Sequence, residues 1–501
     1  MTNFTGMFNH LFKSKLFLIF LAITLASIVL FLTPSQVYPK APAVAAMIVL
    51  MAFLWVTELL PLAVTSLIPI VFLPAVGVGS LSQVTSYYAR PIIYLFLGGF
   101  ILAIGIQKTG LHKRLALFLL HKIGDKPHQL VLGFMLASAI LSMWISNTAT
   151  VMVMMPVGLS ILETAKSNGL TGKAITNLGL GIMLGIAYAA DIGGMATVIG
   201  TPPNLVFLEM YTELFPNKPP IGFVSWMIMV LPISIIFLFS GWLVLTKVVF
   251  KLPKIRLMGG HEIIENEYRK LGKMTADEKR AGLIFLLAAF LWLTGSNIQI
   301  GESFEIQGWR SLLNLPEFKD ASVAIFAAIL LFIVPSKNTS RATILKWSDT
   351  QRVPWGILLL FGGGLALAGG FQLSGLGKIV GDSFTNMQLD SPVVAVFSVS
   401  FILTFLTEIT SNTAITNLIL PVIAEASKVL QIDPRILMIP ATLSASCAFM
   451  MPVASPTQAI VFGSGYVNMK DMIKGGLWFN FIGIILVSVI FLVWGRFVLG
   501  I

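Results

Sequence analysis

The triplet Ser-Asn-Thr occurs twice in this chain, at Ser146-Asn147-Thr148 and, 265 residues further on, at Ser411-Asn412-Thr413. Each copy sits in the middle of an otherwise apolar stretch. Hydroxyls and carboxamides offer donors and acceptors without carrying charge. Each triplet is followed by a second polar interruption. After the first comes Gly193-Gly194 through Gly200-Thr201-Pro202-Pro203-Asn204, and after the second Pro452-Val453-Ala454-Ser455-Pro456-Thr457-Gln458. Ser and Thr cap a helix that begins at such a break, so its free N–H groups and positive dipole end face the gap and suit an anion. Unwound carbonyls and the Asn oxygen suit a hard cation such as sodium. No Lys or Arg stands at the breaks. The charge of a bound anion must then be met by helix ends, hydroxyls and bound cations.

Three carboxylates fall close to these apolar stretches: Asp191 in the segment leading to the first break, Glu408 three residues before the second triplet, and Glu58 at the end of an early apolar run. An ionisable group inside a membrane is a functional candidate by default. Asp191 is thus a possible coupling residue, as a proton site or an extra cation ligand, against the alternative of a hydrogen-bonded helix contact. Glu408 has no acidic match in the first half, where Met143 stands. His112, His121 and His128 read as solvated side chains near a loop.

The elements that carry these residues follow from composition. The 501 residues are 56% hydrophobic and 11% charged, with a mean hydropathy of +0.89, whereas soluble domains carry about 25% Asp, Glu, Lys and Arg. Soluble enzyme, disordered scaffold and nucleic-acid binder are excluded as readings. The single Cys447 can form no intrachain disulfide, which also excludes a secreted disulfide scaffold. Apolar runs long enough to cross a bilayer predict an all-α polytopic membrane protein. Spans are expected near 15–33, 41–60, 62–79, 92–107, 174–200, 222–249, 279–296, 320–335, 354–372, 434–453 and 472–499. Two further stretches, 128–164 and 391–428, read as re-entrant hairpins of two half-length helices around each triplet. Lys13 and Lys15 precede the first run, which reads as a retained helix rather than a cleaved leader.

Cations support this layout. Lys108, Lys113, Arg114, Lys122 and Lys126 fill one loop. Lys247, Lys251, Lys254, Arg256, Arg269, Lys270, Lys273, Lys279 and Arg280 fill a second, and Lys337, Arg341, Lys346 and Arg352 a third. The loop 297–319 leans acidic through Glu302, Glu305 and Glu317. All three cationic loops fall on one side only if both hairpins re-enter. The positive-inside rule then puts the N-terminus in the cytoplasm and the C-terminus outside, in a cell inner (plasma) membrane.

The halves also match each other. Ala52-Phe53-Leu54-Trp55 pairs with Ala289-Phe290-Leu291-Trp292, Gly98-Gly99 with Gly362-Gly363, and Pro156 with Pro421. On the expected topology the two copies run in opposite directions, as in inverted-repeat transporters with sites near the midplane. The expected organisation is an N-terminal segment and first helix over 1–40, a first repeat over 41–250, a cytoplasmic linker over 251–278 and a second repeat over 279–501.

Paired Ser-Asn-Thr motifs in opposed hairpins, with Gly-Thr-Pro-Pro-Asn in the first half, resemble the divalent anion/sodium symporter family, the INDY-type di- and tricarboxylate transporters. The resemblance runs from residue 41 to the end. It implies homodimers whose transport domain moves like an elevator against a scaffold. It also implies C4-dicarboxylate substrates such as succinate, malate and fumarate, driven by sodium with no other cofactor. Carried over by motif, Asn147, Thr148, Thr201, Pro202, Asn412, Thr413, Ser455 and Pro456 would contact the carboxylates. One sodium would sit among Ser142, Ser146, Asn147 and Gly200, and a second among Thr407, Thr410, Asn412 and Ala454. Two departures bear on substrate preference and coupling: Ser-Pro-Thr-Gln in half two where half one reads Thr-Pro-Pro-Asn, and Asp191 near the first break. A sodium-independent dicarboxylate exchanger is the alternative within transport. An intramembrane enzyme would need clustered nucleophiles, carboxylates or histidines that the chain lacks, and a channel needs no pair of broken-helix sites.

Overall fold

The computed structural model describes residues 15–34, 36–122, 124, 126–252, 260–300, 304–337, 342–385 and 391–500. Lys13, Lys254, Arg256, Glu302 and Arg341, counted above, lie outside the described residues. Most of the described residues are helical, as lipid requires of a chain that must satisfy its backbone internally. Helix α1 (Lys15–Leu32) packs on α2 (Ala41–Thr57). The helix α2 stops where Glu58 adopts φ 49°, three residues before Pro61. The span expected over 62–79 is instead two short helices, Leu62–Thr65 and Ile68–Ala75, with Pro61 just before the first and Pro69 in the first turn of the second, where its missing N–H cannot extend the first.

Then follow α3 (Pro91–Thr109), the amphipathic α4 (Leu111–His121), α5 (Pro127–Ser142), α6 (Asn147–Ser167), α7 (Gly172–Met195), α8 (Pro202–Leu214) and α9 (Phe223–Leu243). In the linker lies α10 (Gly260–Lys270). Helix α11 (Ala276–Leu293) starts three residues before the expected span because Thr275 and Glu278 form a capping box. A small antiparallel pair, β1 (Ile298–Ile300) and β2 (Phe304–Ile306), occupies the acidic loop. The second half continues with α12 (Asp320–Ile333), α13 (Trp355–Leu373), α14 (Leu376–Thr385), α15 (Pro392–Leu406), α16 (Asn412–Val429), α17 (Pro434–Ala445), α18 (Pro456–Phe462) and α19 (Met469–Ile490).

From α3 to α9 and again from α13 to α19 the same seven elements recur in the same order. Seven helical stretches among the described residues are long and apolar enough to cross a membrane, including Asn147–Ser167 and Pro392–Ile409. The hairpin arms are therefore not half-length: they run 16, 21, 15 and 18 residues. The longest, α6, ends in exposed polar residues such as Glu163 and Lys166, which carry it past its apolar part.

Loop contacts sort into two groups. At the cation-rich end, Lys108 pairs with Asp349, Arg114 with Glu278 at 2.8 Å, and the Lys337 N–H with Asp277 at 2.9 Å. The base of the first hairpin belongs here, since the Trp242 indole donates to the His128 carbonyl at 2.8 Å, near the π-helical turn Val244–Val249. At the other end Lys218 pairs with Asp433 at 3.1 Å, and Lys428, at the base of the second hairpin, lies over the Phe215 ring. The hairpins thus rise from opposite ends toward each other.

Helix α7 is the axis of the packing. Every residue from Leu178 to Val198 is buried, and α5, α6, α9 and α18 all pack on it. A helix so enclosed has no lipid face, and its small residues, Gly179, Gly181, Gly185, Ala187, Ala189 and Ala190, let neighbours approach.

Candidate functional site

Helix α5 ends at Ser142, and after a short turn Ser146 caps α6, its hydroxyl accepting from the Ala149 N–H at 3.4 Å. The Ser142 hydroxyl donates to Asn147 Oδ1 at 2.6 Å. In the second hairpin α15 ends at Leu406, a 3-10 turn holds Thr407–Ile409, and α16 begins at Asn412. There the Thr407 hydroxyl lies 2.6 Å from Asn412 Oδ1. Ser142 and Thr407 stand 265 residues apart, as do the two asparagines, so both tips carry one and the same contact.

The broken helices differ from expectation in their limits. Gly193 and Gly194 stay helical in α7, and the unwound segment is 196–201. Both glycines serve close approach. A Cβ on Gly193 would lie 2.3 Å from the Ala139 carbonyl oxygen of α5, and one on Gly194 would lie 2.6 Å from Asn147 Oδ1 and 3.1 Å from the Gly200 carbonyl oxygen. The second break begins earlier than expected, at Ser446, and Pro456-Thr457-Gln458 form the first turn of α18.

Side-chain amides stitch both unwound segments. Asn204 Nδ2 donates to the carbonyls of Gly194, Met195 and Thr197 at 3.3, 3.1 and 2.7 Å. Gln458, which occupies the matching position, donates to the Ala448 carbonyl at 3.3 Å. The Thr197 hydroxyl also donates to the Met143 carbonyl at the first tip.

The two halves meet at Asp191. Asn147 Nδ2 donates to its Oδ1 at 2.9 Å. Thr457 Oγ1 lies 2.9 Å from Oδ2 and 3.2 Å from Oδ1. Gln458 Nε2 donates to Oδ2 at 2.9 Å, and Ser455 Oγ lies 3.5 Å from it. Ser455 and Thr457 also bond to each other. Asp191 is 4% exposed, and its donors are side chains of both halves. Helix α6 packs on α18, and reciprocally α16 packs on α8. Each hairpin's second arm therefore lies against the half-helix that follows the other half's break.

Glu408 does different work. Its carboxylate accepts from the backbone N–H groups of Phe449, Met450 and Met451 at 2.8, 2.9 and 3.0 Å, and from Asn480 Nδ2 at 2.7 Å. Three consecutive amides of the second unwound segment are thus held by one acid from the second tip, an arrangement that ties tip, break and α19 together. The one sequence signal that sets Glu408 apart is the absence of an acid at the matching position, Met143.

The remaining expected residues are distributed as follows. Asn147, Thr148, Pro202 and Asn412 are half-buried, Ser146 and Pro456 exposed, and Thr201, Thr413 and Ser455 buried. Asn147 and Ser455 come together at Asp191. For the first sodium set, Ser142, Asn147 and Gly200 converge around Gly194, while the Ser146 hydroxyl is engaged as a cap. For the second, Thr407 and Asn412 touch, whereas Thr410 turns its hydroxyl back to the Leu406 carbonyl at 3.0 Å and no hydrogen bond links it to Ala454. Among the described residues no cluster of three His, Cys, Asp or Glu could hold a metal ion.

Comparison with known proteins fits this geometry. The sodium-dependent dicarboxylate transporter SdcS of Staphylococcus saprophyticus is 39% identical over 461 residues, 91% of this chain and 86% of that protein. Its counterpart in Staphylococcus aureus is 40% identical over 465 residues, 92% and 87%. Among solved structures, the YdaH transporter of Alcanivorax borkumensis (TM-score 0.54, 14% identity, 83% of this chain and 88% of that one) has the same fold. So does MtrF of Neisseria gonorrhoeae, a member of a class of antimetabolite efflux pumps (TM-score 0.56, 12% identity, 83% of each chain). Residues 13–501 match the family described as sodium:sulfate symporter transmembrane region, and the chain is a multi-pass membrane protein belonging to the divalent anion/sodium symporter family.

Proposed function

We propose that this protein is a secondary active transporter that carries C4-dicarboxylates such as succinate, malate and fumarate together with sodium. The observation that carries the reading is the meeting at Asp191 of the first hairpin tip with the start of α18 from the other half. Polar, unwound backbone from two copies of one motif is thereby gathered in the interior of an apolar protein, where irregular backbone is tolerated only around a cavity or a ligand. The SdcS relatives, named as sodium-dependent dicarboxylate transporters, supply the substrate class and coupling ion.

In this reading Asn147, Thr148, Thr201, Pro202, Asn412, Thr413, Ser455 and Pro456 present hydroxyls, amides and helix N-termini to the two carboxylates. One sodium is held by Ser142, Asn147 and Gly200 near Ser146, and a second by Thr407 and Asn412 near Thr410 and Ala454. Their positive charge offsets the negative charge of the dianion in a site without Lys or Arg. The repeats, 41–250 and 279–501 about the linker 251–278, form a homodimer in the plasma membrane with the N-terminus in the cytoplasm and the C-terminus outside. Hairpins and broken helices move together as an elevator against the remaining helices, and no covalent step is catalysed.

The test is uptake of labelled succinate by reconstituted protein with sodium, proton and counter-substrate gradients imposed one at a time. The expected result is accumulation driven by inward sodium. Counterflow in sodium-free vesicles, with no net uptake on adding a sodium gradient, would make the protein an exchanger.

A further inference from the structure

We propose that Asp191 is the positioning residue of the first sodium site: it fixes which way the Asn147 carboxamide faces, adds negative charge behind that site, and ties it to the break that starts α18. The inference rests on the transport reading above and deepens it.

A carboxylate without its proton only accepts hydrogen bonds, so the Asn147 side chain can approach Asp191 only through its NH2. The 2.9 Å contact from Nδ2 to Asp191 Oδ1 therefore turns Oδ1 of Asn147 the other way, onto the Ser142 hydroxyl at 2.6 Å. The Gly200 carbonyl comes in beside it across the open flank of Gly194. Asn147 Oδ1, with Ser142 bonded to it, and the Gly200 carbonyl oxygen thus both lie beside Gly194, and the amide that supplies Oδ1 cannot flip without setting its oxygen against a carboxylate. The outer-layer acid that orients an inner ligand is a common device of cation sites.

Charge points the same way. The surroundings of Asp191 are hydrogen bonds from Asn147, Thr457, Gln458 and Ser455, with no Lys, Arg or His among them. Neutral donors alone offset only part of the cost of a dry anion. A cation on the far side of the Asn147 amide supplies the rest. The second site lacks this arrangement, because Ala445 occupies the position in α17 that Asp191 occupies in α7, and the Thr407 hydroxyl there reaches the Ala445 carbonyl at 2.9 Å. The same carboxylate is gripped by Ser455, Thr457 and Gln458 at the N-terminus of α18. Filling the first site thereby steadies a half-helix of the opposite repeat that is proposed to touch substrate, which gives a physical route from cation to dicarboxylate.

The full-length protein tests this with Asp191→Asn, Asp191→Glu and Thr457→Val. Two quantities are read: sodium half-saturation of succinate uptake in proteoliposomes, and binding of radioactive sodium to purified, succinate-free protein. Asp191→Asn is expected to raise the half-saturating sodium about tenfold or more, while the succinate KM at saturating sodium changes less than about threefold. Asp191→Glu, which keeps the charge, recovers part of the loss, and Thr457→Val, which frees the opposite flank of the carboxylate, shifts sodium binding in the same direction by less. Sodium half-saturation within about twofold of the parent in Asp191→Asn overturns the inference. If that variant does not fold, an unchanged sodium response in Thr457→Val overturns it instead. A parent protein that takes up no succinate under a sodium gradient would strike the transport reading itself, a separate outcome.

Discussion

The two hairpin tips share a hydrogen bond and differ in their acid. Ser142 meets Asn147 in the first, Thr407 meets Asn412 in the second, at the same 2.6 Å. The amides of Asn204 and Gln458 repeat the likeness, each reaching the matching carbonyl, Gly194 or Ala448, in its own unwound segment. The buried carboxylates break it. Asp191 lies in the first broken helix and takes side-chain donors from both halves, whereas Glu408 lies in the second tip and takes three backbone amides of its own half together with Asn480. Duplicated architecture has thus kept the contacts that shape a ligand cradle, while the charges have diverged. One acid joins the first tip to the start of α18, and the other holds a loop of its own half in place.

The sharpest way to break the comparison is to remove the shared amide. Asn147→Ala and Asn412→Ala should each cut sodium-driven succinate uptake by about 100-fold while leaving the purified protein monodisperse. Uptake near the parent level in either would detach that tip from the site.

Next in size is the contrast between acids. Glu408→Ala leaves three buried N–H groups and an amide without an acceptor, and should cost at least about 3 kcal/mol of stability, read as an earlier thermal midpoint in detergent. Asp191→Asn should move sodium half-saturation far more than the thermal midpoint. Equal effects of both kinds in both variants would mean that the two acids do one job.

The glycine that admits Asn147 gives a third measure. Gly194→Ala places a methyl 2.6 Å from Asn147 Oδ1 and should weaken sodium binding by about tenfold. The matching position in the second half is already alanine at Ala448, so no such sensitivity is expected there.

Smallest is the length of one side chain. Gln458→Asn keeps an amide within reach of the Ala448 carbonyl but withdraws it from Asp191, and a loss of about threefold in uptake is expected. No change would confine Gln458 to stitching the loop.

Much of this was legible from residue types. The triplets, their spacing, the Pro-containing breaks and the cationic loops marked the tips, the broken helices and the sorting of loops between two ends. The partners of Asp191 were not legible, because Ser455, Thr457 and Gln458 lie 264, 266 and 267 residues away and no local pattern links them. Gly193 and Gly194 look like helix breakers but remain helical, since their bareness serves contact with α5 and Asn147 rather than unwinding. Pro61 and Pro69 divide a run whose hydropathy alone suggests one span, because hydropathy averages over a window while proline acts at a single residue. Hairpin arms came out longer than half a bilayer because polarity at the tips locates a break without fixing how far each arm extends beyond it.

The grip on Asp191 also bears on how the chain is made. The ribosome delivers the first half to the membrane well before Ser455, Thr457 and Gln458 exist, so the nascent protein carries an acid in lipid with only Asn147 to answer it. Final settling of α7 must wait for the last quarter of synthesis. A polypeptide stopped after α9 should accordingly be cleared by proteases faster than the full chain in a pulse-chase experiment, and Asp191→Leu should lengthen the life of that fragment.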